Sequence, residues 1–128
     1  AGQLTKLANQ IIVAGTLRLL AEALTLAQQG GADPAKVREA LLGGFADSTL
    51  LQHQGERMVK GDFEARGAAK WQLKDTRSAV ALAKQLDLTL PLTETVNQLF
   101  SQMIDAGEGE LDHCAIIKQI QRLNNVLI

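Results

Sequence analysis

Apolar residues near the start of the chain recur at Leu4, Leu7, Ala8, Ile11, Ile12, Leu19, Leu20, Ala23, Leu26 and Ala27. These steps of three and four are the helical period. From Gly2 to Gln29 there is no proline, and charge is confined to Lys6, Arg18 and Glu22, so the spacing predicts one long helix. Residues 11 to 27 are apolar on nearly every side, which predicts a helix packed all round rather than one lying on a surface. One stripe breaks the pattern. Gly2, Lys6, Asn9, Gln10 and Val13 share a face at helical spacing.

Gly30-Gly31 predicts the end of this helix as a C-terminal cap. Asp33-Pro34 predicts the next start, an acceptor followed by proline at the first helical position. The second helix is expected over Ala35 to Leu42, closed by Gly43-Gly44. A third, capped by Asp47 or Ser48, carries Leu50, Leu51 and Met58 and ends near Gly61. Residues 61 to 68 read as a loop. The period returns from Ala69 through Trp71, Leu73, Ala79, Val80, Leu82, Ala83 and Leu86, followed by a short extended connector from Asp87 to Leu90. Pro91 opens a fifth helix with Leu92, Val96, Leu99, Phe100, Met103 and Ile104 inward, and Gly107 and Gly109 end it. Asp112 caps the last, with Ala115, Ile116, Ile117, Ile120 and Leu123 inward. No useful stretch alternates with period two, so no sheet is expected. The prediction is a single all-α domain over residues 1–128, about six helices packed around a largely buried N-terminal helix. Gly15 in mid-helix costs about 1 kcal/mol of propensity, and close approach of a crossing helix would explain it.

A chain of 128 residues has room for one core. The net charge of −1 provides no basic stripe of the density that nucleic acid requires. Arg18 and Glu22 interrupt the apolar run of the first helix, which argues against a membrane span. The lone Cys114 has no disulfide partner within the chain, and no signal peptide precedes the helix, so a cytoplasmic home is expected. Ala1-Gly2 runs straight into the helix, which suggests a piece of a longer protein.

Two polar constellations are candidates for chemistry. The first is Gly2, Lys6, Asn9 and Gln10. Either the helix start projects into water, or the stripe faces a cleft where a lysine's proton affinity is tuned by low-dielectric walls. The second is Lys74-Asp75, flanked by Lys70 and Arg77 in a cationic face; a solvated face with Asp75 near the helix N-terminus is the plain alternative. His53 has no second His, Cys or carboxylate at metal-ligand spacing, so no metal site is expected. Gly107-Glu108-Gly109 lacks the strand–helix context of a phosphate loop.

Several short motifs, in order, carry a resemblance. Gly2-Gln3-Leu4-Thr5-Lys6-Leu7-Ala8-Asn9-Gln10 resembles G-x-x-x-K-x-x-N-[NQ]. Ala21-Glu22-Ala23, Gly43-Gly44-Phe45-Ala46-Asp47-Ser48-Thr49, Lys74-Asp75, Leu90-Pro91-Leu92-Thr93 and Asp112-His113-Cys114-Ala115 follow. Together they resemble the C-terminal domain of the β-hydroxyacid dehydrogenase family, which includes 3-hydroxyisobutyrate dehydrogenase and tartronate semialdehyde reductase; the Asn9-Gln10 pair leans toward the latter branch. The resemblance implies a fold like the C-terminal domain of 6-phosphogluconate dehydrogenase and dimers or tetramers built through this domain. It implies NAD or NADP bound mainly by a preceding dinucleotide-binding domain absent from this chain. Lys6 would be the catalytic acid–base, Gly2 and Asn9 or Gln10 would hold a small hydroxyacid or semialdehyde, and Lys74 with Asp75 would reach the cofactor. The activity implied is reduction of 2-hydroxy-3-oxopropionate to glycerate, the alternatives being 3-hydroxyisobutyrate dehydrogenase-type activity or a non-enzymatic helical dimerisation module. Alone, this chain is expected to be inactive. It departs from the family at Glu64-Ala65-Arg66, where Pro-Gly-Phe is usual after Asp-Phe, and at Cys114, where Ser is usual.

Overall fold

The computed structural model describes residues 2–127. Six α-helices follow in order: α1 (Gly2–Gln29), α2 (Pro34–Leu41), α3 (Glu56–Lys60), α4 (Ala69–Gln85), α5 (Pro91–Asp105) and α6 (Ile117–Asn124). A π-helical turn over Leu51–Gly55 leads into α3, and a 3-10 turn over His113–Ile116 leads into α6. Among the described residues the only β pairing is an isolated antiparallel bridge between Ala68 and Asp112. The all-α architecture of six helices around α1 is as expected.

The caps explain the boundaries. At the end of α1, Ala32 N donates to Ala27 O and Gly31 N to Gln28 O, with Gly31 at φ 99°. This paired 6→1 and 5→2 closure requires a left-handed residue, which glycine adopts without strain. Asp33 accepts from Ala35 N at 3.0 Å, and Pro34 takes the first position of α2, so that helix starts and ends one residue earlier than expected. Ser48 Oγ accepts from Leu51 N at 2.9 Å, which settles the third cap on Ser48. The connector after α4 is corrected at Asp87, which has φ 58° and makes a left-handed turn rather than an extended segment. No side chain caps α4. Its first N–H groups are taken by carbonyls of the returning chain, Ala69 N by Leu111 O at 2.8 Å and Lys70 N by Gly109 O at 3.0 Å.

α1 packs against α4, α5 and α6 through one stripe: Ala14, Leu17, Arg18, Ala21, Leu24 and Thr25. Phe100, Met103, Met58, Ile116 and Ile117 complete the core around it. The expectation that α1 is packed all round is corrected. Leu4, Ile12, Leu19 and Leu26 are more than half exposed, because the five shorter helices cover only one side. Four other apolar positions of the helical pattern, Leu92 and Leu123 among those expected inward, are exposed for the same reason, that periodicity gives the faces of a helix and not its neighbours. Trp71 on α4, Leu86 just after it, Leu92 on α5 and Leu123 on α6 are all exposed. Trp71 is instead flanked by Lys70 and Lys74, whose ammonium groups lie 5.0 and 5.9 Å from its ring centre. The close approach expected at Gly15 is not made: α4 and α5 face it through Thr76, Leu92, Thr93 and Val96 across a small hollow, and a Cβ there would meet nothing within 4 Å. At the C-terminus Val126 is half-buried and Leu127 exposed, while Ile128 lies outside the described residues. α1 is long and apolar enough to cross a membrane by length and composition, a test that the core helix of a soluble protein also passes. Its Arg18, however, is turned into the bundle, where it bonds Gln119 of α6 and, at 2.7 Å, Glu22.

Candidate functional site

The first turns of α1 cross the first half of α4, and this crossing gathers most of the sequence candidates. Lys6 Nζ lies 3.9 Å from Asp75 Oδ1; the lysine side chain is 70% exposed and the carboxylate 17%. Gln10 Nε2 donates to Asp75 Oδ2 at 2.8 Å, and Asn9 Nδ2 donates to Gln10 Oε1 at 3.0 Å. One carboxylate therefore faces both the ammonium and the amide pair. Spacing explains it: Lys6 and Gln10 are one turn apart on α1, so both reach a single position on α4.

These groups edge an open hollow of about 250 Å³ lined by Gln3, Lys6, Leu7, Lys74, Asp75 and Ser78. Lys6 and Lys74 thus share one concavity. The two readings of the Lys6 stripe meet here, since the ammonium is well hydrated and yet sits on the wall of a depression facing Lys74. Gly2 is exposed one turn before Lys6, with open space where a Cβ would stand. Gln3, Leu7 and Ser78 were not singled out from the sequence; their positions on the faces of Lys6 and Lys74 are the signal that would have found them. His53 is exposed and far in chemistry from this edge, lining a separate cleft of about 490 Å³ with Gln54, Arg57, Lys60 and Arg66. No group of three His, Cys, Asp or Glu able to hold a metal occurs among the described residues.

A second polar centre, marked in the sequence by the Asp112 cap and the Asp112-His113-Cys114-Ala115 motif but given no chemistry there, lies under that cleft. Asp112 is fully buried. Its Oδ1 accepts from Arg66 N and Gly67 N at 3.0 Å each, and its Oδ2 from Cys114 N at 3.0 Å. Arg57 Nη1 lies 3.0 Å from Oδ1, and the same guanidinium reaches Asp62 at 3.4 Å and the Glu64 carbonyl. Burial alone would raise the Asp112 pKa, but the N–H groups of Cys114, Arg66 and Gly67 outweigh it and hold the carboxyl far below its ordinary range. Burial pushes the neighbouring Cys114 thiol well above its usual value, with Asp112 adding to the effect. His113 is shifted down, first by burial and then by Arg57, against the opposing pull of Asp112.

The chain resembles known proteins along nearly its whole length. Residues 1–120 match the family model described as the NAD-binding domain of NADP-dependent 3-hydroxyisobutyrate dehydrogenase. The chain is 43% identical over 97% of its length to 2-hydroxy-3-oxopropionate reductase of Escherichia coli (strain K12), covering 42% of that protein. It is 34% identical over 98% of its length to a probable mitochondrial 3-hydroxyisobutyrate dehydrogenase-like protein of Arabidopsis thaliana, covering 41% of it. Among solved structures, 3-hydroxyisobutyrate dehydrogenase from Salmonella typhimurium superposes with a TM-score of 0.88 at 28% identity, over 92% of this chain and 41% of that one. The chain thus spans about two fifths of the length of the relatives it matches.

Proposed function

The chain belongs to the β-hydroxyacid dehydrogenase family, and from that premise we propose that it is the helical half of an NAD(P)-dependent oxidoreductase with Lys6 as its general acid–base. The observation that carries the reading is the placement of the Lys6 ammonium, 3.9 Å from the Asp75 carboxylate, on the wall of the hollow it shares with Lys74. The substrate class is a small β-hydroxyacid or its semialdehyde. Reduction of 2-hydroxy-3-oxopropionate to glycerate is preferred, on the 43% identity to the reductase of that name.

The residues fit a dinucleotide at this edge, since Lys74 and Lys6 supply cationic donors and Ser78 a hydroxyl around an open hollow. The nicotinamide, when bound, supplies the hydride. Lys6 Nζ gives its proton to the substrate's carbonyl oxygen during reduction and takes it back during oxidation. Such transfer is worth about a hundred- to ten-thousand-fold in rate. Asp75 holds the ammonium and Gln10 in register from beneath, and the Asn9–Gln10 amides and the open backbone at Gly2 receive the substrate's oxygens. Lys74, on the same hollow, would hold the cofactor, with Asp75 supporting it. The pyrophosphate site belongs to a dinucleotide-binding domain preceding residue 1, so this chain alone is inactive.

The same reading includes a homodimer in the cytoplasm. The exposed Leu4, Ile12, Leu19 and Leu26 of α1 give a second copy an apolar face to cover, and a buried thiol with no disulfide partner suits a reducing compartment. Light scattering on the full-length protein tests the assembly, and a strict monomer at high concentration would refute it. For the chemistry, Lys6→Ala in the full-length protein lowers kcat by about a hundredfold or more while leaving the melting temperature unchanged. Retention of most activity with 2-hydroxy-3-oxopropionate and related semialdehydes ends the acid–base role of Lys6, whereas an unmutated full-length protein inactive on all of them leaves a non-enzymatic dimerisation module.

A further inference from the structure

Between the buried Asp112 centre and the Lys6 edge runs a chain of side chains that the chemistry above does not use. Gln72, nearly fully buried on α4, donates from Nε2 to the main-chain carbonyl of Gln10 at 3.2 Å. Its Oε1 lies 2.9 Å from His113 Nδ1. His113 Nε2 lies 2.9 Å from Gln54 Nε2, which also donates to Asp112 Oδ2 at 3.3 Å.

The hydrogen-bond inventory of these groups permits one arrangement. A carbonyl and a carboxylate only accept, so Gln72 must present its NH2 to Gln10 O and Gln54 its NH2 to Asp112. Gln72 then offers His113 an acceptor, and Gln54 offers it a donor. The imidazole is therefore neutral, with its proton on Nδ1 and its lone pair on Nε2. Of the charged groups facing the ring, Asp112, whose Oδ2 lies 3.9 Å from Nε2, favours a second proton, while Arg57, which engages Asp112 Oδ1 at 3.0 Å, opposes one together with burial. Gly67 packs on the ring, where a Cβ would meet Nε2 at 3.4 Å.

At the other end of the chain, one turn of α1 is held twice by α4. Gln72 takes the backbone of Gln10 and Asp75, one turn on, takes its side chain. We propose that His113, as the Nδ1–H tautomer, is a positioning residue for the Lys6 site: through Gln72 it fixes the turn of α1 that carries Gln10, and so the register of Gln10 and Lys6 on the Asp75 carboxylate. This rests on the role given to Lys6 above, and it extends that role to a residue that touches neither substrate nor cofactor.

The test uses the full-length enzyme with selectively labelled histidine and glutamine. The His113 nitrogen spectrum shows a protonated Nδ1 and an unprotonated Nε2. Gln72→Met and His113→Leu each lower kcat about tenfold or more, with substrate and cofactor KM changed less than about twofold. Both also move the Gln10 side-chain amide resonance away from its carboxylate-bonded position. His113→Asn keeps an N–H donor where Nδ1 stands and recovers most of the lost kcat together with the Gln10 resonance. A general structural role gives no such rescue, and Met58→Ala serves as the comparison variant of similar stability loss. An Nε2–H tautomer, His113→Asn no better than His113→Leu, or a folded His113→Leu enzyme with unchanged kcat overturns the proposal. Lys6→Ala separates the two failures. If it retains activity while the Gln10 resonance still follows His113, the Lys6 reading has failed and the clamp stands; if it abolishes activity while His113→Leu does nothing, the clamp alone has failed.

Discussion

The Lys6 edge and the Asp112 centre hold the same kinds of group, a cation, a carboxylate and a few amides, and use them in opposite ways. At the edge one carboxylate serves a lysine that is 70% exposed at 3.9 Å, and donors are left facing an open hollow. At the centre a fully buried carboxylate takes three main-chain N–H groups and a guanidinium at close to 3.0 Å. An exposed ion pair is worth little to stability because water competes for both partners. A buried one is costly to break because the survivor cannot be rehydrated. The edge is therefore free to reorganise around a ligand, while the centre locks the 62–68 loop, the start of α6 and α3 together.

The sharpest way to break this contrast is to remove each carboxylate. Asp112→Ala leaves Arg57 buried beside a void and orphans the N–H groups of Arg66, Gly67 and Cys114, a loss of about 3–5 kcal/mol. Urea denaturation of the two variants reads the difference directly. Asp75→Ala lowers the unfolding free energy by no more than about 1 kcal/mol, yet lowers kcat in the full-length enzyme. Equal destabilisation by the two would abolish the distinction.

Acid sharpens it. The folded Asp112 carboxyl titrates below its unfolded value, so its contribution is complete above the ordinary carboxylate pKa of about 4 and is lost as pH falls below it. His113 also titrates lower in the folded chain, and the unfolded chain binds the extra proton first. Stability therefore begins to fall as pH drops through about 6.5. Cys114, shifted upward, acts at the other end: its contribution is present at neutral pH and is lost as pH rises past about 8.5. Denaturation midpoints between pH 4 and 9 should show a plateau near neutrality with a decline on each side. His113→Asn flattens the segment between pH 7 and 5, while Asp75→Asn leaves it unchanged.

The sequence was most legible where local chemistry decides. Asp33-Pro34, Gly30-Gly31 and Gly61 mark their boundaries because a cap is settled within a few residues of itself. The Lys6–Gln10–Asp75 edge was half legible: helical spacing put Lys6 and Gln10 on one face, but only the fold brings α4 to them. The Asp112 centre was legible as a cap and as part of the Asp112-His113-Cys114-Ala115 motif, but not as a buried ion-pair centre. Its partners are main-chain N–H groups of a loop and an arginine from another helix, and no side-chain pattern announces either. Arg57 on an inward face, next to Met58, was the one clue. The π turn at Leu51–Gly55 was hidden too, since an extra residue in one turn barely disturbs an i, i+3, i+4 pattern.

The mildest perturbation bears on the exposed side of α1, where the reading from periodicity failed most plainly. Gly15 carries the usual helical penalty for glycine, and within the chain nothing repays it, because a Cβ would meet no atom within 4 Å. Gly15→Ala in this chain should therefore raise stability by up to about 1 kcal/mol, read as a higher urea midpoint with unchanged slope. Gly15 is half-buried at the edge of the exposed side of α1, near Ile12 and Leu19, and borders a small hollow walled by Thr76 of α4 and Leu92, Thr93 and Val96 of α5. If a second copy covers that side, the added methyl meets the partner helix, and the gain in the isolated chain turns into weaker association of the full-length protein by light scattering. A gain in stability with association unchanged would mean that the partner, if there is one, sits elsewhere on α1, and would detach the glycine from the dimer.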